Sequence, residues 1–115
     1  MLTTVLAALT ALEFVFIFWL ETIKTDSEKT AKTFGMDVSV LKDSNMNVSM
    51  KNQGVYNLGI AVLILVALFA KQKAMLLCLM GYIVFVAAYG SATVNRSILL
   101  KQGGLAILTI ISALF

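Results

Sequence analysis

Residues 2–23 carry only two charged side chains, Glu13 and Glu21, in an otherwise apolar or hydroxyl-bearing run. A bilayer core about 30 Å thick needs about 20 helical residues at 1.5 Å each, and this run supplies that length. Two further runs, 52–70 and 74–94, have the same reach, and only Lys71-Gln72-Lys73 separates them. They read as antiparallel neighbours joined by a tight turn whose two lysines belong at the headgroups. From Gly103 to the end a helix would reach only about 20 Å. Starting it at Ser97 gives a run of membrane length, with Lys101 about one turn inside and able to snorkel outward.

Composition supports lipid rather than water as the solvent. The 115 residues are 60% hydrophobic, 13% charged and without proline, whereas a soluble domain carries about 25% charge. A soluble fold this short would bury only roughly 60 to 70% of its unfolded surface, too little to hide this much Leu, Ile, Val and Phe. The expected fold is therefore all-α: a single transmembrane domain over residues 1–115, an integral membrane four-helix bundle. Its spans lie at about 2–23, 52–70, 74–94 and 97–115, with one long polar loop, 24–51, between helices 1 and 2. The first run lacks a basic start, carries Glu13, and ends in Trp19-Leu20-Glu21 instead of small residues, so it reads as a retained span and not a signal peptide.

In the polar loop, Thr25-Asp26-Ser27-Glu28 has the spacing of a capping box and Gly35 that of a C-terminal stop, which predicts a short helix over about 26–34. Beyond it, Val38, Val40, Met46, Val48 and Met50 alternate with polar residues as in a hairpin. Val38 and Leu41 also fit a helix lying on the membrane, and the helix is preferred.

The net charge of +3 comes from basic residues scattered at the edges of apolar runs, not gathered into a patch, which argues against nucleic acid as a partner. Seven of them fall in 24–51 and 95–102 and two between the second and third runs. By the positive-inside rule this multi-pass chain sits in the cell membrane with its termini outside. The sequons Asn47-Val48-Ser49 and Asn95-Arg96-Ser97 would matter only in a secretory lumen. Thr4 with Ala8 and Ala7 with Ala11 are small-residue pairs suited to close helix packing.

Glu13 is the residue most in need of explanation, because an acid near mid-span costs roughly 2.5 to 3.5 kcal/mol on insertion scales. It is expected to face the bundle interior and contact polar groups of the second or third helix. Two roles stand open: a hydrogen-bonding residue that fixes helix packing, or a ligand-binding or proton-carrying group. Cys78, Tyr82, Tyr89, Thr93 and Arg96 fall within about 40° of one line on the third helix, a polar stripe expected to face inward. Gln53 and Asn57 lie four apart on one face of the second helix, with Asn52 and Tyr56 beside them. Antiparallel packing would gather these residues into one polar pocket on the loop side, suited to a polar or zwitterionic head group attached to something apolar. The expected ligand-binding residues are thus Glu13, Gln53, Tyr56, Asn57, Tyr82, Tyr89, Thr93 and Arg96. A buried network that only glues helices is the structural counterpart.

With no histidine, one cysteine and no close carboxylate pair, the chain has no evident metal site, and histidine acid–base chemistry is excluded. No phosphate-binding glycine motif occurs and no cofactor is expected. Cys78 cannot form an intramolecular disulfide and reads as a small packed hydrophobe.

Ala11-Leu12-Glu13, Phe34-Gly35, Asn52-Gln53-Gly54-Val55-Tyr56-Asn57, Tyr89-Gly90-Ser91-Ala92-Thr93-Val94 with Arg96, and Gln102-Gly103 together resemble the small membrane proteins grouped as domain of unknown function 1304. The likeness covers nearly the whole chain. It implies four spans and no assigned activity. Two positions depart from that pattern: Phe14 stands where many relatives have histidine, and Gly104 where proline is frequent. The first departure speaks against a mechanism built on a Glu-His pair. Small multidrug transporters also have four spans and a lone glutamate in the first, a similarity of one residue, but their connecting loops are short.

The leading expectation is a membrane protein that binds a small amphipathic or lipid-like molecule in an intramembrane pocket. The alternatives are a proton-coupled exporter and a lipid-modifying enzyme using Glu13 as acid or base. Expected partners are membrane lipids, the amphipathic ligand and, as an option, further copies of the chain in a homo-oligomer.

Overall fold

A computed structural model describes residues 1–94 and 96–115. Asn95, which opens the second sequon, lies outside the described residues. The described chain is all-α. Helix α1 (Leu2–Phe18) runs on into a π-helical turn (Trp19–Ile23), followed by α2 (Glu28–Phe34), α3 (Val38–Lys42), α4 (Ser44–Phe69), α5 (Lys73–Thr93) and α6 (Ile98–Leu114). Three helical stretches are long and apolar enough to cross a membrane: Leu2–Ile23, Ser44–Phe69 and Lys73–Thr93. That makes the chain a membrane protein by length and composition. Helix α6 has 17 residues, about 25 Å of rise, and falls short of the other three.

The stretch expected as a long loop over 24–51 is largely helical. It holds α2, α3 and the start of α4, which begins eight residues earlier than the apolar run. Asp43 accounts for the early start: its Oδ2 accepts from the Met46 backbone N–H at 3.2 Å, satisfying one of the amides that a helix start leaves bare. Among the described residues there is no strand, so the Val and Met alternation over 38–50 is helical.

The chain divides into two compact units, Met1–Glu13 with Val62–Phe115, and Phe14–Ala61. In the first, α5 packs along α6. Leu76, Met80, Ile83 and Ala87, three or four apart, form the buried face of α5, and Gly103, Ala106 and Thr109 that of α6. A Cβ added at Gly103 would stand 3.3 Å from the Ala87 Cβ, so small residues on both helices set their separation. Thr3 and Ser112 hydroxyls, 2.8 Å apart, join the first turn of α1 to the last turns of α6. Of the two small-residue pairs on α1, Ala7 with Ala11 is buried, while Thr4 and Ala8 are exposed. Leu63, Val66, Phe69 and Phe85 point outward, the apolar exterior that lipid covers. Between helices in lipid, close packing and hydrogen bonds hold the structure, since exchanging lipid for Leu gains no hydrophobic free energy.

In the second unit, Ala31, Leu41 and Met50 make a small core against which Phe34, Met36, Val38 and Met46 pack. Burying a side chain such as Leu41 contributes roughly 1.5 to 3 kcal/mol. Helix α2 starts at Ser27, whose Oγ accepts from the Thr30 N–H at 3.2 Å. The capping residue is therefore Ser27 and not Thr25, because the Thr25 hydroxyl is already committed to the Glu21 carbonyl at 2.7 Å. Gly35, at φ 66°, ends α2 in the left-handed conformation that glycine adopts without strain.

Candidate functional site

The polar cluster that the fold builds lies in the second unit and centres on Glu21. This side chain is fully buried, at 0% exposure. It sits in the π-helical turn, where the Lys24 N–H reaches back five residues to the Trp19 carbonyl at 2.9 Å. Such turns insert one extra residue and swing the following side chains around the axis, and they recur at functional positions. Gln53 Nε2 donates to Glu21 Oε2 at 2.5 Å, and Asn57 Nδ2 donates to Glu21 Oε1 at 2.6 Å. One amide thus engages each carboxylate oxygen from successive turns of α4.

Gly54 makes the approach possible. A Cβ there would lie 2.0 Å from Thr22 Oγ1 and 3.1 Å from the Cβ atoms of Glu21 and Thr22. Across this contact the Thr22 hydroxyl donates to the Lys51 carbonyl at 2.9 Å. From the other side, the buried Thr30 hydroxyl lies 3.1 Å from the Leu20 carbonyl and 2.6 Å from that of Lys24, which also accepts from the Ser27 N–H at 3.1 Å. Lys29 Nζ stands 5.2 Å and 5.6 Å from the ring centroids of Phe16 and Trp19, so α2 is also fastened to α1 by a cation over stacked aromatics.

The cluster's chemistry is that of an acceptor-rich centre. A carboxylate offers about four lone-pair positions, and the amides use two. No lysine or arginine lies in ion-pair contact with Glu21 among the described residues. No group of His, Cys, Asp and Glu able to hold a metal ion occurs among them either.

The family described as Protein of unknown function (DUF1304) matches residues 8–114. This chain belongs to that family. A relative from Lactococcus lactis subsp. lactis (strain IL1403), named Uncharacterized protein YpaA, is 42% identical over 116 residues, covering 99% of this chain and 98% of its own length. No solved structure matches the chain.

The other site residues anticipated from the sequence of this DUF1304 member are placed differently. Gln53 and Asn57 share a face as their spacing predicts, but they converge on Glu21, at the end of the first apolar run, and not on Glu13. Tyr56, on the same helix, is 76% exposed. In the other unit, Tyr82 and Tyr89 are exposed, as are Cys78, Thr93 and Arg96. Their stripe lies roughly 140° around α5 from the face that Leu76, Met80, Ile83 and Ala87 bury, at 100° per residue. The expectation of an inward stripe fails because the smaller, purely apolar face fits the Gly103 and Ala106 side of α6 more closely. Thr93 Oγ1 donates within its own helix, to the Tyr89 carbonyl at 2.8 Å. The Arg96 carbonyl accepts from the Ser91 hydroxyl at 2.7 Å. Glu13 has Oε1 buried with no hydrogen-bond partner among the described residues, so the polar contact expected for it is absent there.

Proposed function

We propose that this chain is a multi-pass protein of the cell membrane, with α6 as a fourth span and the termini outside, that binds a small amphipathic molecule through a cationic head group. Glu21 serves as the counter-ion, oriented by Gln53 and Asn57. One observation carries the reading: a fully buried carboxylate is clasped by two neutral amides, with no basic side chain in ion-pair contact among the described residues. Burying an ion is costly unless a partner compensates it, and amide N–H groups offset only part of that cost. An ammonium on an apolar tail would supply the missing charge while its tail remained in lipid or between helices.

The test compares a fluorescent long-chain alkylamine with the alcohol of the same chain, titrated onto purified protein in neutral detergent. Saturable binding of the amine but not the alcohol supports a counter-ion at Glu21. Equal binding of both, or neither, leaves the Glu21 cluster as a structural clasp between the end of α1 and α4.

A second reading, the proton-coupled exporter, draws on Glu13, whose buried and unpaired Oε1 is free to take up a proton or a cationic substrate. Proton flux in vesicles driven by an amphipathic cation would favour it over simple binding.

A further inference from the structure

The turn between α4 and α5 carries a feature that the Glu21 cluster leaves unexplained. Lys71 has φ 56°, the left-handed conformation, in which no other non-glycine residue of the described chain is found. Its N–H bonds to the Leu68 carbonyl at 3.2 Å and that of Gln72 to the Ala67 carbonyl at 2.9 Å. This is the helix ending in which glycine is the favoured residue, and a side chain there is strained. The lysine adds a charge at a position where glycine would fold more easily.

Beside it opens a cleft of about 240 Å³ whose lining combines the polar Thr3, Thr4, Lys71, Gln72 and Lys73 with the apolar Ala67, Leu68 and Leu76. All of these residues belong to one compact unit, Met1–Glu13 with Val62–Phe115. In that unit the sequence contains Lys71, Lys73, Lys101 and Arg96 but a single acidic side chain, Glu13. Glu13 lies in the middle of the Leu2–Ile23 span, about two turns or more from Thr3 and Thr4 along the helix. Within this unit, therefore, no acidic side chain stands near the cleft to neutralise the two lysines. Lysines beside hydroxyls and an amide, backed by apolar side chains at the end of two spanning-length helices, match a phosphate anion that is attached to acyl chains.

We propose that this cleft binds the phosphate of an anionic phospholipid headgroup, with Lys71 and Lys73 as its cationic contacts and Thr3, Thr4 and Gln72 as hydrogen-bonding groups. The site is separate from Glu21 and stands whether or not Glu21 binds an amine. Lys71 keeps its strained backbone because the ammonium must reach into the cleft from the turn.

The experiment uses the full-length protein in neutral detergent with fluorescent phosphatidylglycerol as probe, competed by unlabelled phosphatidylglycerol, phosphatidylcholine or inorganic phosphate. Displacement by phosphatidylglycerol but not by phosphatidylcholine or inorganic phosphate is the expected result. The Lys71→Gly/Lys73→Gln variant should bind the probe about thirty-fold more weakly, at about fivefold for each lysine. Lys71→Gly alone should melt a few degrees higher than wild type in neutral detergent, since it releases the left-handed strain. Undiminished probe binding by the well-folded double variant, or equal competition by phosphatidylcholine, overturns the proposal. Competition by inorganic phosphate as strong as by phosphatidylglycerol overturns the lipid as source and leaves a free anion.

Discussion

Asn57 donates from Nδ2 to Glu21 Oε1 at 2.6 Å across 36 residues of chain, and Gln53 does the same to the other oxygen from one turn earlier on α4. Two amides spaced four apart on a helix can hold both oxygens of one carboxylate only if the acid lies across from them at close range. The π-helical turn and Gly54 together bring Glu21 to that position.

The close approach at Gly54 is open to direct test. Gly54→Ala should destabilise the protein by about 1 to 3 kcal/mol, the usual range for an overpacked site, read from thermal unfolding in detergent. Because Thr22 Oγ1 is the atom met first, adding Thr22→Ala should restore part of the loss. A Gly54→Ala protein as stable as wild type would show that α4 does not press on the turn.

Thr30 serves two carbonyls with one buried hydroxyl. Thr30→Val keeps the shape and removes the donor, so the Leu20 carbonyl loses its hydroxyl partner while that of Lys24 retains the Ser27 N–H, at a cost of about 1 to 3 kcal/mol. Amide exchange across residues 20–25 should quicken in this variant and stay near the wild-type rate in Thr30→Ser. Unchanged exchange in Thr30→Val would mean that the turn is held by the Lys29 and Gly54 contacts alone.

Tyr82 and Tyr89 stand exposed at 53% and 70%. Tyr82→Phe and Tyr89→Phe should each change stability by no more than about 0.5 kcal/mol and leave amine binding intact. A loss of binding in either variant would return the α5 stripe to the site.

How far the sequence discloses this arrangement differs from residue to residue, for physical reasons. Three spanning-length helices are legible because the bilayer imposes a length that little else demands. Gly35 was legible because a helix that stops needs a left-handed residue. The Gln53 and Asn57 pair was legible from its spacing of four. Which face of α5 turns inward was not, since the polar stripe pointed one way while the close fit of small and apolar side chains against α6, which periodicity alone does not reveal, decided the other. Leu76, Met80, Ile83 and Ala87 are as regular as the tyrosine stripe. Glu21 was hidden for a different reason: it stands near the end of its run, where acids ordinarily meet water, and the extra residue of the π-helical turn shifts it off the face that 3.6-residue counting assigns. A signal did exist, an acid closing the first apolar run and two amides opening the second, which antiparallel packing brings to the same level. The early start of α4 was concealed because its first turns are polar, and only the Asp43 cap marks it.

Glu21, not Glu13, is the carboxylate proposed to meet a cationic ligand. The most direct measurement titrates the fluorescent alkylamine onto Glu21→Gln and Glu13→Gln proteins whose thermal unfolding in detergent has been compared with wild type. Gln keeps the shape of Glu and one acceptor oxygen, its NH2 replacing the other so that Gln53 or Asn57 must turn its own amide oxygen toward it, and the charge is lost. Interhelical hydrogen bonds in membranes average about 0.6 kcal/mol, so both variants should fold. A counter-ion role for Glu21 predicts that amine binding falls at least about tenfold in Glu21→Gln, the loss of one charge-assisted contact, and persists in Glu13→Gln. Full binding by a folded Glu21→Gln protein, with binding lost in Glu13→Gln, would contradict it.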